Sequence, residues 1–343
     1  TSEGQERVYW LELAPTLPLP ASLPPLTVEN AALVTESARA EANLTPALAA
    51  DQNQIAVPGG EGTPGVWLYD LAALDRAPRL LSSSDPFTSV AYNRDGSLLL
   101  IGDARGGIHL WSTAPDAPLL ERWFDQGHER ITRAVAFSAD GRTVASAGDA
   151  AVTRVQVDKT FAILLWDIQS VSQQFALSGH AAAVNALAFS PNGALLASAG
   201  DDQTVRLWNP ASGESIAVLN GHQAPVHALA FSPDGSRLVS GSSDGAIILW
   251  DLSAQAPALT PQTSGSAVRA LAFSPDGTLL ASAGGDQDSS QAPTIALWDA
   301  SAGTMLAQLA GHTDLIGGLA FNGDGTVLTS VSADNSIRFW AAS

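Results

Sequence analysis

GHQAPVHALAFSPDGSRLVSGSSDGAIILWDL, residues Gly221 to Leu252, decides the fold. It opens on Gly221-His222 and closes on Trp250-Asp251. Val226 to Phe231 alternates in polarity, as a half-buried strand does. Ser232-Pro233-Asp234-Gly235 then reads as a tight turn, with proline presetting φ and glycine supplying a positive one. Arg237 to Ser240 and Ala246 to Trp250 read as two more strands, with Ser243-Asp244-Gly245 turning between them. A fourth, outer strand leads toward the next unit.

The stretch recurs. An aromatic residue ends an alternating apolar run at Tyr69, Trp111, Trp166, Trp208, Trp250, Trp298 and Trp340. The spacings are 42, 55, 42, 42, 48 and 42 residues, so the base period is 42 with two insertions. The insertions fall within Gly148 to Phe161 and Gly284 to Pro293. The turn recurs as Ser190-Pro191-Asn192-Gly193 and Ser274-Pro275-Asp276-Gly277. Looser versions stand at 93–96, 138–141 and 322–325. In the first unit, Asp51-Gln52-Asn53 replaces it.

A repeat of roughly 40–45 residues with a Gly-His start and a Trp-Asp end resembles the WD-repeat family, whose unit is a four-stranded propeller blade. The resemblance covers about residues 26–343. It implies an all-β, closed, seven-bladed propeller of four-stranded antiparallel blades. The chain stops three residues after Trp340, so the last blade lacks an outer strand of its own. The candidate replacement lies within Leu26 to Arg39 and would close the ring, protecting a sheet edge. Residues 1–25 hold four prolines between Leu17 and Pro25 and read as a separate arm.

Composition narrows the function classes. The net charge is −18, with 34 acidic and 16 basic residues, of which Lys159 is the lone lysine. Nucleic acid needs a basic footprint and is disfavoured, as is an anionic membrane surface. No cysteine is present, which excludes disulfides and thiolate chemistry. No apolar run approaches the roughly 18 residues of a membrane span, so no membrane insertion is expected. The chain begins at Thr1 without a methionine. An exported or envelope-associated protein whose leader has been removed is therefore favoured over a cytoplasmic one. The alanine-rich, lysine-poor composition suggests a bacterial source.

Several residues look chemical. His180, Ser198, Asp202 and Trp208 form one set; His222, Ser240, Asp244 and Trp250 a second; His312, Ser330, Asp334 and Trp340 a third. Ser, His and Asp together invite a hydrolase reading. Recurrence once per unit argues instead for a structural tetrad. The resemblance implies a buried hydrogen-bond chain in each blade, and no catalytic residue is assigned. The second unit has Arg105 at the aspartate position, the sixth has Gly265-Ser266-Ala267 for Gly-His, and the first has Tyr69 for tryptophan. Those blades are expected to rest on apolar packing more than on the polar chain.

The residue after the first apolar position of each inner strand varies: Thr88, Arg133, Asn185, His227, Arg269 and Gly317. In the family the matching position rings the channel mouth. Asp201, Ser243 and Ala333, each before a tetrad position, should share that face. These residues are the candidate partner-binding set, with the two insertions projecting beside them. Asp286, Asp288 and Ser290 have calcium-loop spacing without the rest of the pattern; no metal and no cofactor is expected.

The expected function is a non-enzymatic scaffold that binds a protein or peptide on the Gly-His face. Two alternatives remain open at this point. One is a structural subunit of a cell-envelope or filament assembly; the other is a small-ligand binder or enzyme using the channel mouth. Oligomeric state is not legible in the sequence.

Overall fold

The computed structural model describes residue 26 and residues 34–41, 49–50, 54–58, 65–70, 78–82, 86–113, 122–124, 128, 131–149, 161–258, 262–263, 265–285 and 292–342. The arm at 1–25 and the bodies of both insertions, 150–160 and 286–291, lie outside the described residues.

The described strands form seven antiparallel sheets, numbered here as blades 1 to 7. Blade 1 holds Ala49–Ala50, Gln54–Pro58, Gly65–Asp70 and Arg79–Ser82. Blade 2 holds Phe87–Tyr92, Leu98–Asp103, Ile108–Ser112 and Arg122–Phe124. Blade 3 holds Thr132–Phe137, Thr143–Gly148, Phe161–Asp167 and Ser172–His180. Blade 4 holds Val184–Phe189, Leu196–Gly200, Val205–Asn209 and Glu214–Leu219. Blade 5 holds Val226–Phe231, Arg237–Ser242 and Ala246–Asp251, and its outer strand is split into Ala256–Pro257 and Gln262–Thr263. Blade 6 holds Val268–Phe273, Leu279–Gly284, Thr294–Asp299 and Met305–Ala310. Blade 7 takes Ile316–Phe321, Leu328–Ser332 and Ser336–Ala342 from the C-terminus and Val34–Glu41 from the N-terminus.

The ring therefore closes through an N-terminal strand, paired from Val34 opposite Ala342 to Glu41 opposite Ser336. That strand occupies the second half of the expected window, Leu26 to Arg39, and runs two residues past it. Leu26 has a different role. Its N–H donates to Gly325 O at 2.7 Å, and its side chain is buried with Leu328 and Trp340.

The core lies between blades, because a single sheet cannot cover its own faces. Leu219 and Leu207 of blade 4 pack against Leu238, Ile248 and Trp250 of blade 5. Ile163 and Leu165 of blade 3 meet Leu196 and Trp208 of blade 4 in the same way. First strands of successive blades touch from blade 2 to blade 7, and blade 7 touches Ala49–Ala50 of blade 1.

Two local features set the two faces of the ring. At one end the expected turns close the first hairpin of each blade from 2 to 7. Ser232 Oγ donates to Asp234 Oδ1, Asp234 Oδ1 accepts from Ser236 N, and Gly235 takes φ 71°. At the other end, every blade from 2 to 7 carries a bulge at the second residue of its first strand. In blade 5, Val226 opposes Ser242 and Ala228 opposes Gly241, which leaves His227 as the extra residue. Thr88, Arg133, Asn185, Arg269 and Gly317 occupy the same place. A bulge re-aims its side chain out of the sheet pattern.

Removing residues 26–41 strips blade 7 of its outer strand and of the Leu26 contact. We expect a melting temperature far below that of the intact chain, against a small change on removing residues 1–20. Equal melting of the two truncations would contradict this closure.

Candidate functional site

Donor accounting orders the polar chain in blade 4. Trp208 Nε1–H can only donate, and it reaches Ser198 Oγ at 2.8 Å. Ser198 therefore gives its own hydrogen to His180 Nε2, 2.7 Å away. His180 then carries a proton on Nδ1 and donates it to Asp202 Oδ2 at 2.9 Å. Blade 7 repeats this with Trp340, Ser330, His312 and Asp334, at 2.9, 2.7 and 2.9 Å. In each, the second carboxylate oxygen accepts from a hydroxyl two residues on, Thr204 at 2.8 Å and Ser336 at 2.6 Å.

Blade 5 departs from the expected tetrad. Trp250 reaches Ser240 at 2.8 Å and Ser240 reaches His222 Nε2 at 2.6 Å. Asp244 does not complete the chain. It is exposed, and its Oδ1 accepts from Ser242 Oγ and from Ala246 N. His222 Nδ1 is buried with no hydrogen-bond partner. The cause is local. Ala246 stands where blades 4 and 7 have a hydroxyl, so nothing pins the carboxylate, and the Ser242 hydroxyl captures it. Blade 7 also has a serine there, Ser332, but that hydroxyl donates to Asp314 O at 2.7 Å.

Other blades keep fragments. His128 and Trp166 both reach Ser146 Oγ in blade 3, at 3.1 and 3.2 Å. Trp298 reaches Ser282 in blade 6 at 2.8 Å. In blade 2, Ile101 replaces the serine, and Trp111 Nε1 is left buried without a partner. The expectation that blade 2 rests on apolar packing needs correction. It carries a buried polar contact of its own, His109 Nε2 to Asp103 Oδ2 at 2.8 Å, with Phe87 packed edge-on to the His109 ring. Asp103 Oδ1 also accepts from Arg105 N and Gly107 N. That pairing was not foreseen, because Asp103 and His109 lie two and four residues off the repeat's polar positions.

The bulge residues gather with the ends of the second strands. Residues 104, 149, 201, 243, 285 and 333 each donate their backbone N–H to the carbonyl of the residue before the first strand. In blades 3 to 5 the side chain at that position then meets the bulge residue of its own blade. Arg133 Nε donates to Asp149 Oδ1 at 2.5 Å, Asn185 Nδ2 to Asp201 Oδ1 at 2.7 Å, and His227 Nε2 meets Ser243 Oγ at 2.7 Å. The bulge residues also bridge blades. Thr88 Oγ1 donates to Thr132 O at 2.5 Å, Asn185 Nδ2 to Val226 O at 3.2 Å, and Arg133 Nη1 to Asn185 Oδ1 at 3.1 Å. The structure thus brings Arg133, Asn185, Asp201, His227, Ser243 and Arg269 into one arc over blades 3 to 6. Thr88, Gly317 and Ala333 lie outside it, on blades 2 and 7.

Family-level comparison bears on this geometry. The WD domain, G-beta repeat family (WD40) matches residues 121–153, 171–209, 213–251, 258–290 and 303–341, more than half of the chain. The chain belongs to the WD40 repeat family. It is 27% identical over 136 residues to a WD repeat-containing protein WDS homolog of Arabidopsis thaliana, covering 38% of this chain and 24% of that protein. It is 31% identical over 157 residues to WD repeat-containing protein 91 of Danio rerio, covering 43% and 21%. It is 30% identical over 155 residues to the nuclear distribution protein PAC1 of Arthroderma otae, covering 45% and 33%. The chain thus spans between a fifth and a third of these relatives. They are eukaryotic, and the bacterial source read from composition finds no support in them. WD40 propellers are typically non-enzymatic and commonly bind protein partners.

The WD40 match begins at residue 121, after blade 1 and the first three strands of blade 2. Two open grooves of about 640 and 570 Å³ lie at the turn face, between blades 3 and 4 and between blades 2 and 3. Neither includes a residue of the mouth arc. No group of His, Asp and Glu able to hold a metal occurs among the described residues, and no helix there is long and apolar enough to cross a membrane.

The electrostatics of the tetrads are structural. Burial alone would raise the Asp202 pKa, but Ala181 N–H, His180 and Thr204 outweigh it and hold the carboxyl below its usual range. Burial pushes His222 down to about 4, against a weak opposing pull from Asp244. Burial, then Arg269, lowers His227, with Arg133 adding to the effect and Asp201 opposing it.

Three outcomes follow. Asp202→Ala or Asp334→Ala should each cost about 2–3 kcal/mol by stranding a buried histidine N–H, while Asp244→Ala should cost under about 1 kcal/mol. Ala246→Thr should return Asp244 to His222 and raise stability by about 1 kcal/mol in urea unfolding; a loss would refute the hydroxyl rule. His222 is shifted below its unfolded value near 6.5, so the unfolded chain binds the extra proton between pH 6.5 and 4. Stability should fall as pH drops through that window, by on the order of 2 kcal/mol from His222. His222→Gln should flatten the slope, and an unchanged slope would contradict the assignment.

Proposed function

We propose that this chain is a non-enzymatic interaction scaffold that holds a protein or peptide at the channel mouth, on the face carrying the Gly-His loops. One observation carries the reading. The tetrad positions repeat from blade to blade, whereas the bulge positions beside them vary, with five residue types over the six blades from 2 to 7 and arginine alone occurring twice. A rigid ring that varies the side chain at each bulge along one rim presents a distinctive surface without moving its backbone. The arc from Arg133 to Arg269 supplies donors, acceptors and positive charge within a protein of net charge −18. Both insertions join the second and third strands of their blades at the same end as the bulges. The recurrence of Ser, His and Asp as internal fasteners argues against reading any one of these sets as a catalytic constellation.

Affinity recovery of partners from an extract of the source organism tests this. Arg133→Glu/Arg269→Glu should lose partners that the wild type retains. Arg94→Glu/Arg142→Glu, a reversal of two exposed charges at the turn face, should keep them. Equal recovery by both variants would overturn the reading.

A further inference from the structure

Arg133 and Arg269 are the same residue at the same bulge, three blades apart, and they have opposite surroundings. Arg133 is held by Asp149, at the end of its own second strand, and by Asn185, the bulge residue of the next blade. Position 285 corresponds to 149, because Gly285 N donates to Ala267 O as Asp149 N donates to Ile131 O. Position 317 corresponds to 185, because each is the extra residue of its bulge. Both positions are glycine in the Arg269 setting. Gly285 also takes φ 134°, a conformation that would strain any side chain added there. Arg269 has therefore lost both of the partners that hold Arg133. Its Nε is buried and has no hydrogen-bond partner, and no ion pair to it occurs among the described residues.

We propose that Arg269 anchors a carboxylate of the peptide bound at the mouth, with the guanidinium supplying the charge that blades 3 to 5 consume internally. The assignment rests on the mouth being the partner site. A half-buried guanidinium with an unsatisfied N–H gains more from a carboxylate than an exposed one does, because its hydration is already lost. Its planar fork fits the two carboxylate oxygens. The neighbouring His227 is held neutral by burial and by Arg269 itself, so the histidine does not share the charge. The net charge of −18 opposes an acidic ligand at long range. At about 0.15 M salt that repulsion is screened beyond roughly 8 Å, and the contact cation dominates. Ala333 and Gly317 on blade 7 add no side-chain acceptor that would compete.

The carboxylate could be an acidic side chain or a free C-terminus, and two probes separate them. One is an acetylated, amidated pentapeptide with a central glutamate flanked by alanine and glycine. The other is the same peptide with glutamine in its place and a free C-terminal carboxylate. The amidated glutamine peptide is the control. The readout is the Arg269 Nε–H resonance of the intact chain, identified by its loss in Arg269→Lys. A saturable shift with either carboxylate probe and none with the control is expected. Arg269→Gln and Gly317→Asn should each weaken binding at least about tenfold, the second by restoring the acceptor that Asn185 offers Arg133. Arg142→Gln, at the turn face, should bind as wild type does. No shift up to about 10 mM of either probe, or an equal shift with the control, would overturn the proposal. So would a resonance that moves on Asp286→Asn/Asp288→Asn in the peptide-free chain, since the adjoining insertion would then be the partner. A peptide held at the mouth through blades 3 to 5, with the Arg269 signal unmoved, overturns the Arg269 assignment and leaves the scaffold reading standing.

Discussion

Pairing of Val34–Glu41 with Ser336–Ala342 puts the two ends of the chain into one sheet. Every blade depends on this clasp, because each sheet buries its faces only against its neighbours. An open ring would expose one face of blade 1 and one of blade 7, together with the edge of Ser336–Ala342. Closure turns seven marginal sheets into one core. The hydrogen bond from Leu26 to Gly325 adds a second attachment of the N-terminal segment to blade 7.

Within that ring the polar chains act as internal braces. They leave few donors unsatisfied, but the accounting is unforgiving. One hydroxyl, at Thr204 or Ser336, decides whether an aspartate faces its histidine. Where Ala246 removes it, the carboxylate turns to Ser242 and a buried N–H is left over. Blade 2 solves the same burial problem with a different pair, His109 and Asp103. The repeat is thus tolerant of how its interior polarity is satisfied, provided the strands and the apolar layers between blades persist.

The mouth obeys the same logic with another outcome. Its bulges are geometric constants from blade 2 to blade 7, so the side chains they carry are free to differ. In blades 3 to 5 those side chains are consumed by neighbours, which stiffens the rim. In blade 6 the neighbours are glycines. Under the proposed reading, a rim built this way concentrates binding capacity where self-pairing fails.

The sequence by itself determined the architecture: period, turn chemistry and closing aromatics carried the seven blades, the antiparallel hairpins and the need for an N-terminal closing strand. Such features are local and repeat, so each copy corroborates the others. It also singled out the varying residue of each inner strand, without revealing that a bulge sets it apart. Tertiary structure alone decided which residues meet across the repeat. Asp244 and Asp202 look alike in sequence, yet only Asp202 reaches its histidine. Arg133 and Arg269 look alike too, yet only Arg133 is held by side-chain partners among the described residues. The physical reason is that a hydrogen bond depends on competing acceptors a few ångströms away, and those competitors come from other strands and other blades.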